Sequence, residues 1–324
     1  MRVPWPVKFG ALALIWGASF LLMKVGLGAL APVQIATLRI LSGALTVLAA
    51  ALLMGVRLPP FGRIWGHLAV AGLVLCSIPF VLFPLGEERV SSALAGIGNA
   101  TTPLSAVLFT VLLLPASRPD GRTVAAVVTG FLGVVVIMQP WQAQGRPDLV
   151  GFAMTLLAGA SYGLGWTYVK RFLSKDDLGG LGMPAAQLLM AAVQMVAVNL
   201  VWWWLHREGD AGIPAPWSPV PGSSSALGPV VAILVLGVVG TGLAFVLQYD
   251  VVREVGPTVG ATVTYVIPVV AVVLGMVFLH ERLQWPQVVG AVIILASAVV
   301  IGRPRRGPVP TGEVPEEEVT HRSR

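Results

Sequence analysis

The stretch PTVGATVTYVIPVVAVVLGMVFLHERLQWPQVVGA, residues 257–291, decides the fold. It holds a long apolar run with Pro268 at its centre, closed by the charged knot His280-Glu281-Arg282, and a second apolar run opens after Pro286. As helix, a run of about twenty apolar residues spans a bilayer core of ~30 Å. A proline in mid-span marks a helix whose freed backbone groups are satisfied by neighbouring helices or a cavity, since lipid offers them no partner.

The whole chain repeats this character. Of its 324 residues 56% are hydrophobic and 11% charged, with a mean hydropathy of +0.84. Soluble domains carry about 25% charge, so the chain reads as an all-α polytopic membrane protein. Cys76 is the single cysteine, and His67, His206, His280 and His321 stand far apart, so neither a disulfide framework nor a metal cluster is expected, and no cofactor. The net charge of +6 lies in short clusters between apolar runs. That pattern orients membrane helices and does not suit nucleic acid.

Ten apolar segments follow one another, at about 8–28, 33–54, 67–86, 93–114, 122–140, 149–172, 183–205, 227–250, 257–279 and 286–302. The first reads as an uncleaved span, because its apolar run passes Met23 without a small-residue cleavage site. PAPWSPVPGSSS, between the seventh and eighth, reads as a loop. With the N-terminus inside, fifteen Lys and Arg fall on inner segments and four (Arg89, Arg146, Arg207, Arg282) on outer ones. Both termini are therefore expected to be cytoplasmic, in the plasma (inner) membrane.

A shift of 165 residues lays Gly72 on Gly237, Phe80 on Phe245, Pro103 on Pro268 and Ala106 on Ala271 without a gap. In the opening spans of each half, Gly17-Ala18-Ser19-Phe20 corresponds to Gly159-Ala160-Ser161-Tyr162, a shift of 142. Five spans per half is an odd number, so the second copy enters from the opposite side. The expected architecture is ten transmembrane helices as two inverted five-helix repeats, residues 1–140 and 141–303, followed by a disordered cytoplasmic tail, 304–324.

Further residues carry a family resemblance: WGASFLLMK at Trp16–Lys24, LRI at Leu38–Ile40, Pro268 in mid-span, HERL at His280–Leu283, then Gln287 and Gly290. The chain resembles the EamA-type transporters of the drug/metabolite transporter superfamily over about residues 8–302. The resemblance implies ten spans in two repeats and transport of small metabolites, drugs or sugars, without fixing the substrate. One departure stands out. A Glu is expected at the Glu281 position in both halves, and the first half has Ala116 there.

The candidate substrate-binding residues are polar or aromatic, lie near mid-span and pair through the repeat. They are Ser19 (with Ser161), Phe20 and Tyr162, Cys76 and Thr241, Phe80 and Phe245, and Asn99 and Thr264, joined by Trp16, Trp166, Tyr249 and Tyr265. Spacings of four, as in Cys76–Phe80, Thr241–Phe245 and Tyr162–Trp166, place both members on one helix face. Asn99 either binds solute or bonds a backbone group freed by Pro103. Lys24 and Arg39 either snorkel to the outer interface or recognise an anion entering there. They form an outer rim or gate with Glu281 and Arg282, themselves read as a helix-end ion pair. Pro103 and Pro268 are the candidate hinges. Glu87, Glu88, Asp250, Glu254 and Glu281 all stand at span ends, so no mid-membrane carboxylate supports proton coupling.

The expected function is a secondary transporter, exporting small organic metabolites such as amino acids or related neutral or zwitterionic solutes by alternating access. Drug or quaternary-cation efflux, sugar transport and, at a distance, a non-transporting scaffold are the alternatives. An enzyme is not expected, since the acid pair Asp176-Asp177 lies in a loop and no histidine lies deep in a span. The expected partners are a small-molecule substrate and the bilayer. A homodimer is compatible with the scheme, but a monomer suffices for an inverted-repeat pathway.

Overall fold

Apolar runs in lipid must satisfy their own backbone groups, which leaves helix as the form open to this chain. The computed structural model describes residues 3–114, 119–139, 141–142, 147–174, 180–208, 212–223, 225–261 and 263–302, without the side chains of Tyr249 and 256–261. Ala116, Asp176, Asp177 and the tail lie outside the described residues. The helices are α1 (Trp5–Gly26), α2 (Pro32–Leu53), α3 (Arg63–Glu87), α4 (Ser92–Leu113), α5 (Gly121–Met138), α6 (Leu149–Phe172), α7 (Gly182–His206), α8 (Leu227–Val255), α9 (Val263–Phe278) and α10 (Trp285–Gly302). All but α9 are long and apolar enough to cross a membrane, and α9 is a shorter apolar helix. The chain is an all-α polytopic membrane protein, with ten helices among the described residues.

The ninth helix departs from the expected bounds. The backbone stays helical from Ala244 to Ala261, so α8 runs on through Pro257, and α9 starts only at Val263. The two prolines also differ. Pro103 stands in the first turn of the second segment of α4, after a break between Asn99 and Thr102, whereas Pro268 lies inside an uninterrupted α9.

The main helix pairs recur when the halves are exchanged. α1 packs on α8 and α9 as α6 packs on α3 and α4; α2 packs on α8 as α7 packs on α3; α5 packs on α10. Glycines make these crossings. A β-carbon at Gly72 would stand 2.8 Å from the Gln187 carbonyl on α7, and one at its twin Gly237 would stand 2.7 Å from the Arg39 carbonyl on α2. Gly17 meets Val270 and the Ile267 carbonyl on α9, and its twin Gly159 meets the Gly98 carbonyl on α4. Small residues let helix backbones approach where lipid supplies no hydrophobic drive. The register extends to a rarer feature: π-helical segments interrupt α3 at Leu73–Ser77 and α8 at Leu236–Leu243, overlapping under the 165-residue shift.

The bundle has two ends. At the near end α1 begins and α6 gives way to α7; at the far end α1 gives way to α2 and α7 to α8. The far end is tied shut. The loop between α7 and α8 lies across it as a strap: Gln34 Nε2 donates to the carbonyls of Pro216 (3.1 Å) and Ser218 (2.8 Å), Asn199 Nδ2 to Pro216 (3.2 Å), Trp203 Nε1 to Ile213 (2.9 Å), and Val220 N to Ala29 (2.8 Å). Lys24 donates to the carbonyls of Glu87 and Val90, satisfying the end of α3.

The knot at His280-Glu281-Arg282 has a different structure from the one expected. His280 takes a left-handed conformation (φ 53°) past the end of α9, and the Glu281 amide bonds back to the Gly275 carbonyl. That turn sends the Glu281 carboxylate over Gly275 to the start of α4. There it accepts from Ser92 N (2.8 Å), Ala93 N (3.0 Å) and Ser92 Oγ (3.0 Å). Among the described residues no Lys or Arg pairs with it within 4 Å, so neither the Glu281–Arg282 ion pair nor a Glu281 gate contact with Arg39 or Lys24 is present. Orphan amides at a helix start carry partial positive charge, and a carboxylate satisfies them better than a basic side chain could use it. The departure at Ala116 fits the same account. In the second half the backbone is helical through Pro257, the twin of Ser92, so no free helix start stands there for a second acid to cap.

Two stability outcomes follow from this packing. Gly72→Leu and Gly237→Leu must push two backbones apart and should each lower stability by about 1–3 kcal/mol, read as a drop in apparent Tm in detergent. Gly66→Leu, on α3 where nothing lies within 4 Å, should leave Tm unchanged. Glu281→Gln should lose about 1–3 kcal/mol by the same assay, because the three charge-assisted bonds to α4 become neutral or are lost. Equal melting of Glu281→Gln and Arg282→Gln would contradict the capping role.

Candidate functional site

Where the crossings hold the helices, the space between them is left open. A cavity of about 530 Å³ runs from mid-bundle to the near end, lined by α1, α2, α3, α4, α6, α7, α8 and α9. Its near-end wall includes Leu173, Ser174, Gly180 and Met183. No residue of the far-end connections lines it among those described. Trp16, Ser19, Phe20, Phe80, Asn99, Tyr162, Trp166, Thr241, Phe245 and Thr264 all line it, drawn from both halves.

The aromatic wall is built by local packing. Phe20 meets Phe83 edge to face with centroids 5.3 Å apart, and Phe83 meets Tyr162 at 6.0 Å. Trp16 Nε1 donates to the Gly240 carbonyl (3.2 Å), which fixes its ring. The π segments decide which residues of α3 and α8 face inward. Where bonds run i to i+5, residues five apart share a face. Leu75 and Phe80 line the cavity together, as do their twins Gly240 and Phe245.

Asn99 sits at the break in α4. Pro103 has no N–H to give the Asn99 carbonyl, and the Thr102 hydroxyl donates to that carbonyl instead, at 2.8 Å. The backbone group freed by the proline is therefore satisfied without the Asn99 side chain. The carboxamide, half-buried, faces the cavity with no hydrogen-bond partner among the described residues.

Several expected residues lie elsewhere. Cys76 is fully buried within the π segment, packed among α2, α3 and α7, with Gln187 Nε2 3.6 Å from its sulfur. It does not share the cavity face with Phe80, although its twin Thr241 shares that face with Phe245. Ser161, the partner proposed for Ser19, donates to the Val74 carbonyl (2.6 Å) and staples α6 to α3. Tyr265 points away from the cavity, its hydroxyl against the backbone of Gly302 at the end of α10. The side chain of Tyr249 lies outside the described residues.

Arg39 is the largest correction. Placed at the outer rim by its sequence position, it is 6% exposed and turns inward to line the cavity. Its guanidinium carbon lies 3.7 Å from the centre of the Phe80 ring, its Nε donates to Thr241 Oγ1 (3.1 Å), and Nη1 lies 3.6 Å from Met23 Sδ. Gln187 and Gln248 also line the cavity, and nothing in the sequence marked them. Glu87, assigned to a span end, is fully buried, and neither carboxylate oxygen has a hydrogen-bond partner among the described residues. Among the same residues no group of His, Cys, Asp and Glu is placed to hold a metal ion.

With this geometry in place, comparison with known proteins is informative. The profile of the EamA-like transporter family matches the chain twice, over residues 7–139 and 149–303. Protein PecM of Dickeya dadantii (strain 3937) is 25% identical over 289 residues, covering 89% of this chain and 88% of its own. The uncharacterized inner membrane transporter YedA of Escherichia coli (strain K12) is 25% identical over 299 residues, covering 90% of this chain and 89% of its own. A solved crystal structure with 21% identity shares the fold at a TM-score of 0.60, over 93% of this chain and 96% of its own. Two profile matches that together span nearly the whole chain carry the conclusion: this chain belongs to the EamA-like transporter family.

Proposed function

We propose that the chain is a secondary exporter of small organic metabolites, amino acids or related neutral or zwitterionic solutes, across the plasma (inner) membrane. The observation that carries this reading is the cavity at the junction of the two halves, reaching one end of the bundle and shut at the other. Its volume falls in the ~300–1,000 Å³ range of small-molecule pockets, and its wall of rings with a few hydroxyl and amide groups suits a mixed apolar and polar solute. With both termini cytoplasmic, as the Lys and Arg distribution favours, the near end is the cytoplasmic one and the conformation is open inward. Rocking of residues 1–140 against 141–303 would then open the far end by alternating access.

Arg39 ranks the alternatives. A buried guanidinium in the cavity wall repels quaternary cations and makes cationic drug efflux the weaker reading. Sugars and a non-transporting scaffold have no feature of the site in their favour. One copy holds the whole cavity, so a monomer suffices.

Purified protein in proteoliposomes should carry labelled amino acids or related solutes in a saturable manner. Asn99→Ala and Phe80→Ala should each reduce that flux by about tenfold, while Tyr265→Ala, away from the cavity, should leave it intact. Comparison of flux with and without an imposed pH gradient separates coupled from facilitated movement. Saturable flux that Tyr265→Ala abolishes and Asn99→Ala spares would sink the central-cavity assignment.

A further inference from the structure

We infer that Arg39 is the substrate-recognition residue of the cavity and that it takes the carboxylate of a small organic acid or amino acid. The inference rests on the transporter reading and narrows it to a ligand class. A guanidinium has five N–H donors and no acceptor. Two of the five have partners here, the Thr241 hydroxyl and the Met23 thioether, the latter a weak acceptor. No carboxylate of the described residues lies within 4 Å of it. An ion removed from water and left without a counter-charge costs several kcal/mol. The cavity is the side from which such a partner can arrive, because Arg39 lines it.

The surroundings fix the guanidinium and leave its donors available. The Phe80 ring covers one face of the plane at 3.7 Å, and the Thr241 bond holds Nε, so the side chain is locked before any ligand enters. Thr241 accepts in that bond and keeps its own proton to donate to the same anion. Arg39 stands seven residues into α2, about 10 Å along the helix from its far-end start. It therefore meets a solute at the bottom of the cavity, against the closed end.

The rest of the wall selects among anions. Arg39 is the one charged side chain among the described lining residues, which matches a single negative charge and not a phosphate dianion. Glu87 is the carboxyl group that interacts with Arg39 at a distance. It is fully buried and acts on Arg39 through space, but forms no ion pair with it within 4 Å. Lys24, the other cation of the region, is engaged by the carbonyls of Glu87 and Val90. Phe20, Phe83, Trp16 and Tyr162 provide apolar surface for the body of an acid whose carboxylate is held by Arg39.

The test is thermal stabilisation of the purified full chain by the proteinogenic amino acids and short aromatic and aliphatic monocarboxylates, each beside its amide. Sodium sulfate serves as the inorganic anion, and flux of the best ligand is measured in proteoliposomes. The expected result is stabilisation by one or more acids with little or none by the matching amides. Arg39→Lys, which keeps the charge but loses the planar fork, should weaken that acid's apparent affinity more than about tenfold. Comparison of acid and amide on the wild-type chain stands even if an Arg39 variant folds poorly. Equal stabilisation by acid and amide, equal protection by sulfate, or no stabilisation by any acid would overturn the inference. Flux of a solute lacking a carboxylate, undiminished in Arg39→Lys, would overturn it while leaving the transporter reading standing. Arg39-dependent binding of an acid that never crosses the membrane would do the reverse.

Discussion

Backbone must touch backbone for these helices to associate at all. Lipid tails are as apolar as leucine, so helices in a bilayer gain little from hiding side chains and much from close van der Waals packing and interhelical hydrogen bonds. The chain meets that constraint with glycines at matched positions in its two halves: Gly17 and Gly159 where α1 and α6 cross their partners, Gly72 and Gly237 where α3 and α8 cross theirs. The residues flanking those glycines then surround the space the crossings leave. Trp16 and Ser19 adjoin Gly17, Tyr162 follows Gly159, and Gly240 and Thr241 follow Gly237; all line the cavity. The scaffold and the site are thus built from the same few turns of helix.

Much of the architecture was legible in the sequence, because span length, turn composition and the 165-residue register are one-dimensional signals. Glycines and prolines that kept register marked helix contacts directly. What escaped was whatever depends on the third dimension. Arg39 lies near the outer end of its span, and along the chain that position predicts a rim. Whether its side chain turns to the interface or inward is decided by Phe80 and Thr241, which arrive from α3 and α8. Glu87 was likewise a span-end acid by position and is fully buried by packing.

The errors in α3 and in the charged knot have local causes. Cys76 lies in a π-helical segment and packs against α2 and α7, a contact that single-sequence patterns do not mark. In the knot, adjacent Glu281 and Arg282 invited an ion pair. The left-handed turn at His280 instead aims the carboxylate at amides 189 residues earlier in the chain. Asn99 shows the opposite case. Its two readings were equally open until the Thr102 hydroxyl was seen to satisfy the carbonyl that Pro103 frees.

The strap between α7 and α8 breaks the likeness of the two ends. Its five hydrogen bonds reach Ala29, Gln34, Asn199 and Trp203 on the helices and connection around it. The corresponding connection between α2 and α3 has its Pro59 and Pro60 carbonyls taken by nearby Trp65, within the same corner. In a carrier that alternates between two faces, matched halves alone would hold the two states near equal occupancy. At only ~0.5 kcal/mol apiece, five bonds made in one state and broken in the other skew that balance by roughly seventyfold. Under the alternating access proposed above, the unladen protein would wait overwhelmingly in one posture, and departure from it would be driven by cargo or a gradient.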